Sequence, residues 1–182
     1  MTRPGVLVAV VAVMAALTGG WPLLNAALGE APDRQRLAAG ETLVLGDGGY
    51  SARFTVGRGW TVRKSASDSA QGYTLTRGAV ELRVSRLIAT GRPTLRQMWG
   101  GLRQVLRAGD PGAVLGRPRP AGDGLAGPAA RDGMTGTLTV RFAPDRRTAV
   151  STTALGGRGA AARDRAAAAR VVDSLAFARG SR

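Results

Sequence analysis

Three hydropathy regimes follow one another along the chain. Residues 6–28, VLVAVVAVMAALTGGWPLLNAAL, hold no charged side chain and form the only run long enough to cross a bilayer as a helix, which takes about 20 apolar residues. Residues 29–41, GEAPDRQRLAAG followed by Glu41, lose that apolar character without acquiring a strand period and read as a juxtamembrane linker or short helix. From Thr42 onward the period shortens to two. TLVLG, the turn Asp47-Gly48-Gly49 and YSARFTV predict a hairpin with Tyr50, Ala52, Phe54 and Val56 on one face. Trp60 and Val62 continue the alternation in a short piece, with Trp60 placed to close one edge of the core.

GYTLTRGAVELRVSRLI predicts two more strands around Arg77-Gly78. Val80, Leu82 and Val84 fall on one side and Glu81, Arg83 and Ser85 on the other. Such clean alternation belongs to an antiparallel sheet with one covered and one wetter face. The expected cover is a helix opening at Thr94, where Thr94 and Gln97 match the capping-box spacing and Leu95, Met98, Trp99, Leu102, Val105 and Leu106 follow at helical intervals up to Gly109. Residues 110–132, rich in Gly, Pro and Ala, predict irregular and mobile chain, with Pro118 and Pro120 tolerable only at an edge. MTGTLTVRFA, the turn Ala143-Pro144-Asp145-Arg146 and RTAVSTTAL predict a further hairpin, and AARDRAAAARVVDSLAF a closing helix. The class is α+β, an antiparallel sheet flanked by helices behind one N-terminal transmembrane or signal-anchor helix. The divisions are 1–28 (signal-anchor or transmembrane segment), 29–41 (linker) and 42–182 (domain).

The apolar run follows a short positive leader, MTRPG, as a secretory signal does. Its apolar character continues through Trp21 and Leu24, beyond a usual signal core, which favours retention as an anchor over cleavage and secretion. Arg34 and Arg36 outnumber Arg3, so a count of flanking charge does not orient it. Long domains, however, translocate largely regardless of charge. The expected location is the cell membrane, single-pass, with the bulk of the chain extracytoplasmic.

Composition narrows the chemistry. With no cysteine and no histidine, disulfides, thiolate nucleophiles, Cys/His zinc sites and His-based triads are excluded. Lysines and arginines number 26 against 12 acids, for a net charge of +14, and Lys64 is the single lysine. Coding in a GC-rich genome also inflates Arg, Ala and Gly, yet the field itself favours anionic lipid, envelope polymer or nucleic acid. Arg96, Arg103 and Arg107, opposite the apolar side of the predicted helix, are the candidate anion or partner contacts; a solvated helix face has the same pattern. Nucleic acid is disfavoured by an aromatic content of 4% and by the lack of a groove-reading motif.

Gly122-Asp123-Gly124-Leu125-Ala126-Gly127 matches G-x-G-x-x-G literally, but follows a Pro-rich loop and is followed by Pro128, so it does not predict a dinucleotide turn. Glu41, Asp47, Glu81, Asp110, Asp123, Asp132, Asp145, Asp164 and Asp173 are scattered singly. Two of them meeting in space would make a small envelope hydrolase, the alternative to a binding domain. The sequence calls for no cofactor and no metal.

FTVGRGW, GYTLTRGAVELRVSRL, TLRQMWGGLRQVLRAG, TGTLTVRFAPDRRTAVSTTA and the terminal DSLAF, taken in order, resemble the Mog1/PsbP-like fold from about Tyr50 to Phe177. Many such domains open on Pro-x-Gly-Trp, whereas here Gly57 stands before Arg58-Gly59-Trp60. The resemblance implies an antiparallel sheet sandwiched by helices and a non-enzymatic, protein-binding tendency, and it transfers no site: no interaction residue of the family maps onto this chain.

Overall fold

The computed structural model describes residues 33–47, 49–89 and 91–179. Residues 6–28, where the anchor is expected, lie outside them. Among the described residues no helix is long and apolar enough to cross a membrane. The described residues from Arg34 onward form one compact unit.

Its strands are β1 (Arg34–Arg36), β2 (Thr42–Leu45), β3 (Tyr50–Thr55), β4 (Thr61–Arg63), β5 (Gly72–Arg77), β6 (Val80–Ile88), β7 (Val114–Leu115), β8 (Arg119–Ala121), β9 (Gly124–Arg131), β10 (Met134–Phe142), β11 (Thr148–Gly156) and β12 (Ala176–Arg179). The helices are α1 (Leu95–Gly109) and α2 (Ala162–Asp173). A large antiparallel sheet runs β1-β4-β5-β6-β11-β10-β9-β7, with β8 also pairing β9, and a small one runs β12-β3-β2.

The period-two segments form strands as expected, and so does each of the three hairpins. Hydrophobic alternation then divides the molecule into two cores on opposite faces of the large sheet. Leu75, Val80, Leu82 and Val84 point into the first, with Trp60, with Phe54 and Leu45 of the small sheet, and with Ala167, Ala168 and Val171 of α2. Leu125, Leu138, Val140 and Leu155 point into the second, under Trp99 of α1. This corrects the expected pairing of helix and strands. The apolar side of β6 is covered by α2, through Ala167, Ala168 and Val171, and by the small sheet, whereas α1 covers the other face further along. Tyr73 links the sheets: its hydroxyl donates to the Val44 carbonyl at 3.0 Å and its ring meets Phe54 edge-on at 5.8 Å.

Helix α1 begins where the capping box predicts. The Gln97 N–H donates to Thr94 Oγ1, and the Thr94 N–H donates to Gln97 Oε1 at 2.8 Å. One residue departs from the predicted apolar face, since Val105 is 69% exposed.

Three further expectations are corrected. The domain begins before Thr42: Arg34–Arg36 pair with β4, Leu37 is buried and its N–H donates to the Trp60 carbonyl. Residues 110–132 are not irregular, because β9 is an inner strand held by β10 on one edge and by β7 and β8 on the other. Pro128 is tolerated there because the N–H and C=O of a strand residue point to the same neighbour, and the Pro128 carbonyl accepts Gly116 N–H on the β7 side. Its missing donor therefore costs the β10 ladder nothing. Finally, the closing helix stops at Asp173 and the chain reverses into β12, with Phe177 opposite Ala52 of β3. Ser174 makes that exit, its Oγ accepting the Thr55 N–H at 3.0 Å.

The register also gathers loops. Arg34 lies opposite Arg63, Gly72 opposite Ser85, Ile88 opposite Thr148 and Arg141 opposite Gly124. The β6–α1 connection and the β10–β11 turn therefore share one end of the large sheet, while β1 begins level with the middle of β6.

Candidate functional site

Helix α1 presents its arginines from a rigid base. Arg96, Arg103 and Arg107 stand at i, i+7 and i+11, which at 3.6 residues per turn keeps them within about 40° of one another. Arg96 and Arg107 are exposed and Arg103 is half-buried. Long cationic side chains lay their stems along apolar surface while the charged end reaches water; Arg103 buries its Nε, which has no hydrogen-bond partner among the described residues. None of the three is within salt-bridge distance of a carboxylate there. The structure thus brings all three predicted contacts into one stripe along α1.

The stripe is fixed by Trp99, which is 1% exposed and donates from Nε1 to the Gly116 carbonyl at 3.2 Å. Gly127 of β9 makes room for the indole: a Cβ there would stand 2.8 Å from Trp99 Cζ2.

The scattered acids are taken up one by one. Asp164 accepts Arg77 Nε at 2.8 Å, Asp123 accepts Arg141 Nε at 2.7 Å and Asp47 accepts Arg86 Nη1 at 3.0 Å. Glu81 holds two cations, Arg83 at 2.9 Å and Arg131 at 2.8 Å. Asp145 accepts the backbone N–H groups of Arg147 and Thr148, each at 3.0 Å, as its turn requires. Among the described residues no three carboxylates converge as a metal site would need. A cleft of about 590 Å³ holds one acid, Asp68, and one of about 440 Å³ beside α2 holds Asp173. The G-x-G-x-x-G match falls in the β8–β9 turn and in β9 itself, with no helix after it.

Burial, helped by the Asp68 carboxylate, raises the Tyr73 hydroxyl above its ordinary value of 10.0.

The fold is PsbP-like. The solution structure of cyanobacterial PsbP (CyanoP) from Synechocystis sp. PCC 6803 is similar to this chain with a TM-score of 0.51 and 12% sequence identity, over 83% of this chain and 99% of that one. No family model matches the chain and no curated protein does. At that identity the likeness concerns architecture alone: a sheet-rich α+β domain. It brings no site residue with it.

A group of arginines that sequence reading did not single out comes from separate loops. Arg92 and Arg147 line one open cleft of about 510 Å³ with Ala89 and Gly91, and Arg146 follows Asp145 in the neighbouring turn. The turn chemistry around Pro144 was legible, but its proximity to Arg92 depends on the β6–β11 pairing.

Proposed function

We propose that this chain is an accessory binding domain, held at the cell membrane by residues 6–28 with its folded part extracytoplasmic, that engages a protein partner or an anionic envelope component through Arg96, Arg103 and Arg107. The observation that carries this reading is the division of charge. Asp47, Asp123, Asp164 and Glu81 pair with arginines elsewhere and Asp145 serves its turn, while among the described residues the α1 arginines have no carboxylate partner and stand on a helix locked by Trp99. A cationic stripe of fixed spacing steers and registers an anionic partner. The PsbP-like architecture supports an accessory or binding role; for a carboxylate-based hydrolase, the clefts described among these residues that hold an acid bring a single one each, Asp68, Asp173 or Asp123.

The test is co-purification of the tagged full chain from native membranes, beside a variant with Arg96→Gln, Arg103→Gln and Arg107→Gln. The expected result is loss of the bound component with an unchanged melting temperature. Retention by the variant overturns the role of the stripe. Protease added to intact cells should cut the domain, and full protection overturns its placement outside the cytoplasm.

A further inference from the structure

We propose that the trough between α2 and the β10–β11 face of the large sheet binds a short extended peptide of three or four residues, its terminal carboxylate on Arg165 and its amino group on Asp173. The site lies on the face of the large sheet away from α1, so it does not depend on the arginine stripe.

The floor of the trough comes from strand register. Alternate residues of β10 face α2, and each has a β11 residue directly opposite: Thr135 with Gly156, Thr137 with Ala154 and Thr139 with Thr152. Leu138 and Val140, which alternate with them, are buried in the second core and support the floor from the other face. Helix α2 forms the wall through Ala168, Ala169 and Val172, and the space between wall and floor is about 440 Å³, in the range of small-ligand sites. Short side chains on both surfaces leave it open. Thr137 and, beyond it, Pro128 of β9 are exposed, so the side away from α2 gives onto solvent.

Charge selects the occupant. Arg165 and Asp173 both line the trough, eight residues and hence about 12 Å apart along the helix. A Cβ at Gly156 would stand 3.0 Å from Arg165 Nε, so the arginine lies across the end of β11, where Thr135 is the opposite residue. Beyond Asp173, the Leu175 carbonyl accepts Arg141 Nη1 of β10 at 2.9 Å, so α2 runs along β10 and Asp173 stands toward the Thr139 end. Neither Arg165 nor Asp173 is within salt-bridge distance of an opposite charge among the described residues. Both also oppose the helix dipole, which favours acids at the N-terminus and bases at the C-terminus. Arg165 is the fourth residue of α2 and Asp173 the last, so each costs the helix stability that no ion pair returns.

Between the two charges, the Thr139 and Thr152 hydroxyls bond each other, which leaves those of Thr135 and Thr137 to an occupant. A hydroxyl both donates and accepts, as the N–H and C=O groups of a peptide require. Extended chain advances about 3.3–3.6 Å per residue, so three or four residues span about 10–14 Å and reach from one charge to the other. A fatty acid would leave Asp173 unmet, and a phosphate would be repelled by it.

The test is calorimetric titration of the full chain, held in a nonionic detergent, with tetraalanine and with its N-acetylated and C-amidated forms. Tetraalanine should bind with a Kd below about 1 mM, and either cap should weaken binding about tenfold or more. Arg165→Gln should abolish the difference between acid and amide while keeping that between amine and acetamide, and Asp173→Asn should do the reverse. Neither variant should melt lower than the parent, since each removes a charge that the helix dipole opposes; a lower melting temperature would give these charges to the fold and count against the site. No binding at about 5 mM tetraalanine, or caps that cost the same in parent and variants, overturns the inference. Exchange of Arg96, Arg103 and Arg107 for glutamine should leave tetraalanine binding unchanged, and its loss there would move the peptide to α1 and overturn the trough.

Discussion

Replacing Gly127 by alanine tests how α1 is held, and with it the rigidity of the arginine stripe. The new Cβ would stand 2.8 Å from Trp99 Cζ2, 3.0 Å from Cη2 and 2.9 Å from the Arg117 carbonyl oxygen. Carbon atoms prefer separations of about 3.5–4.0 Å, so the indole must retreat by close to 1 Å. It has nowhere open to go, being 1% exposed, and retreat stretches the 3.2 Å bond from Nε1 to the Gly116 carbonyl. Overpacking of this kind costs about 1–3 kcal/mol, and loss of the hydrogen bond adds about 1 kcal/mol. The expected loss is therefore about 2–4 kcal/mol, read from urea unfolding of the full chain by circular dichroism. The same exchange made in a Trp99→Phe background should cost at least about 1 kcal/mol less, since the shorter ring no longer reaches the new methyl group. Additive costs, or an alanine at 127 within about 0.5 kcal/mol of the parent, would refute the packing described.

Within α1 itself the sign reverses: Gly100→Ala and Gly101→Ala place Cβ atoms in open space, and each should stabilise by about 0.5–1 kcal/mol in the same assay. Asp164→Ala strands Arg77 without its carboxylate and removes an acid from the first turn of α2. For a pair intermediate between buried and exposed, a loss of about 2 kcal/mol is expected, and a loss below about 0.5 kcal/mol would argue against the clamp. Arg146→Gly relieves a left-handed arginine and should raise stability by about 1 kcal/mol in the same assay, and a fall in stability would argue against strain in that turn. Because the Tyr73 hydroxyl is raised in the folded chain, its contribution is present below pH 10.0, the ordinary value, and is lost as pH rises through the folded value. Alkaline unfolding should therefore be less steep in Tyr73→Phe, and identical profiles would refute the assignment.

Local signals were legible where neighbouring residues alone decide the outcome. The capping box of Thr94 and Gln97 needs one turn of chain, and the Pro144-Asp145 turn needs four residues, so both stand in the structure as read. The α1 stripe was legible for the same reason, since its spacing depends only on the helical period. What failed was whatever required a partner distant in sequence. Nothing within GLAGPAAR marks a strand, because its residues are small and its proline argues against one; β10 supplies the ladder and Trp99 the need for Gly127. DSLAF continues a helical composition, yet an unpaired edge of β3 draws it out as β12.

By itself, then, the sequence determined the α+β class, the positions of most strands and of α1, and the exclusion of thiol and imidazole chemistry, because period, capping and composition are properties of the chain alone. Tertiary structure decided which helix covers which face, since α1 and α2 both carry apolar stripes and only the pairing order of β6, β11 and β10 separates their cores. It also decided that Ile88, Arg92, Arg146 and Arg147 share one end of the large sheet. Register brings them together across some 60 residues, and no local pattern encodes a distance of that kind.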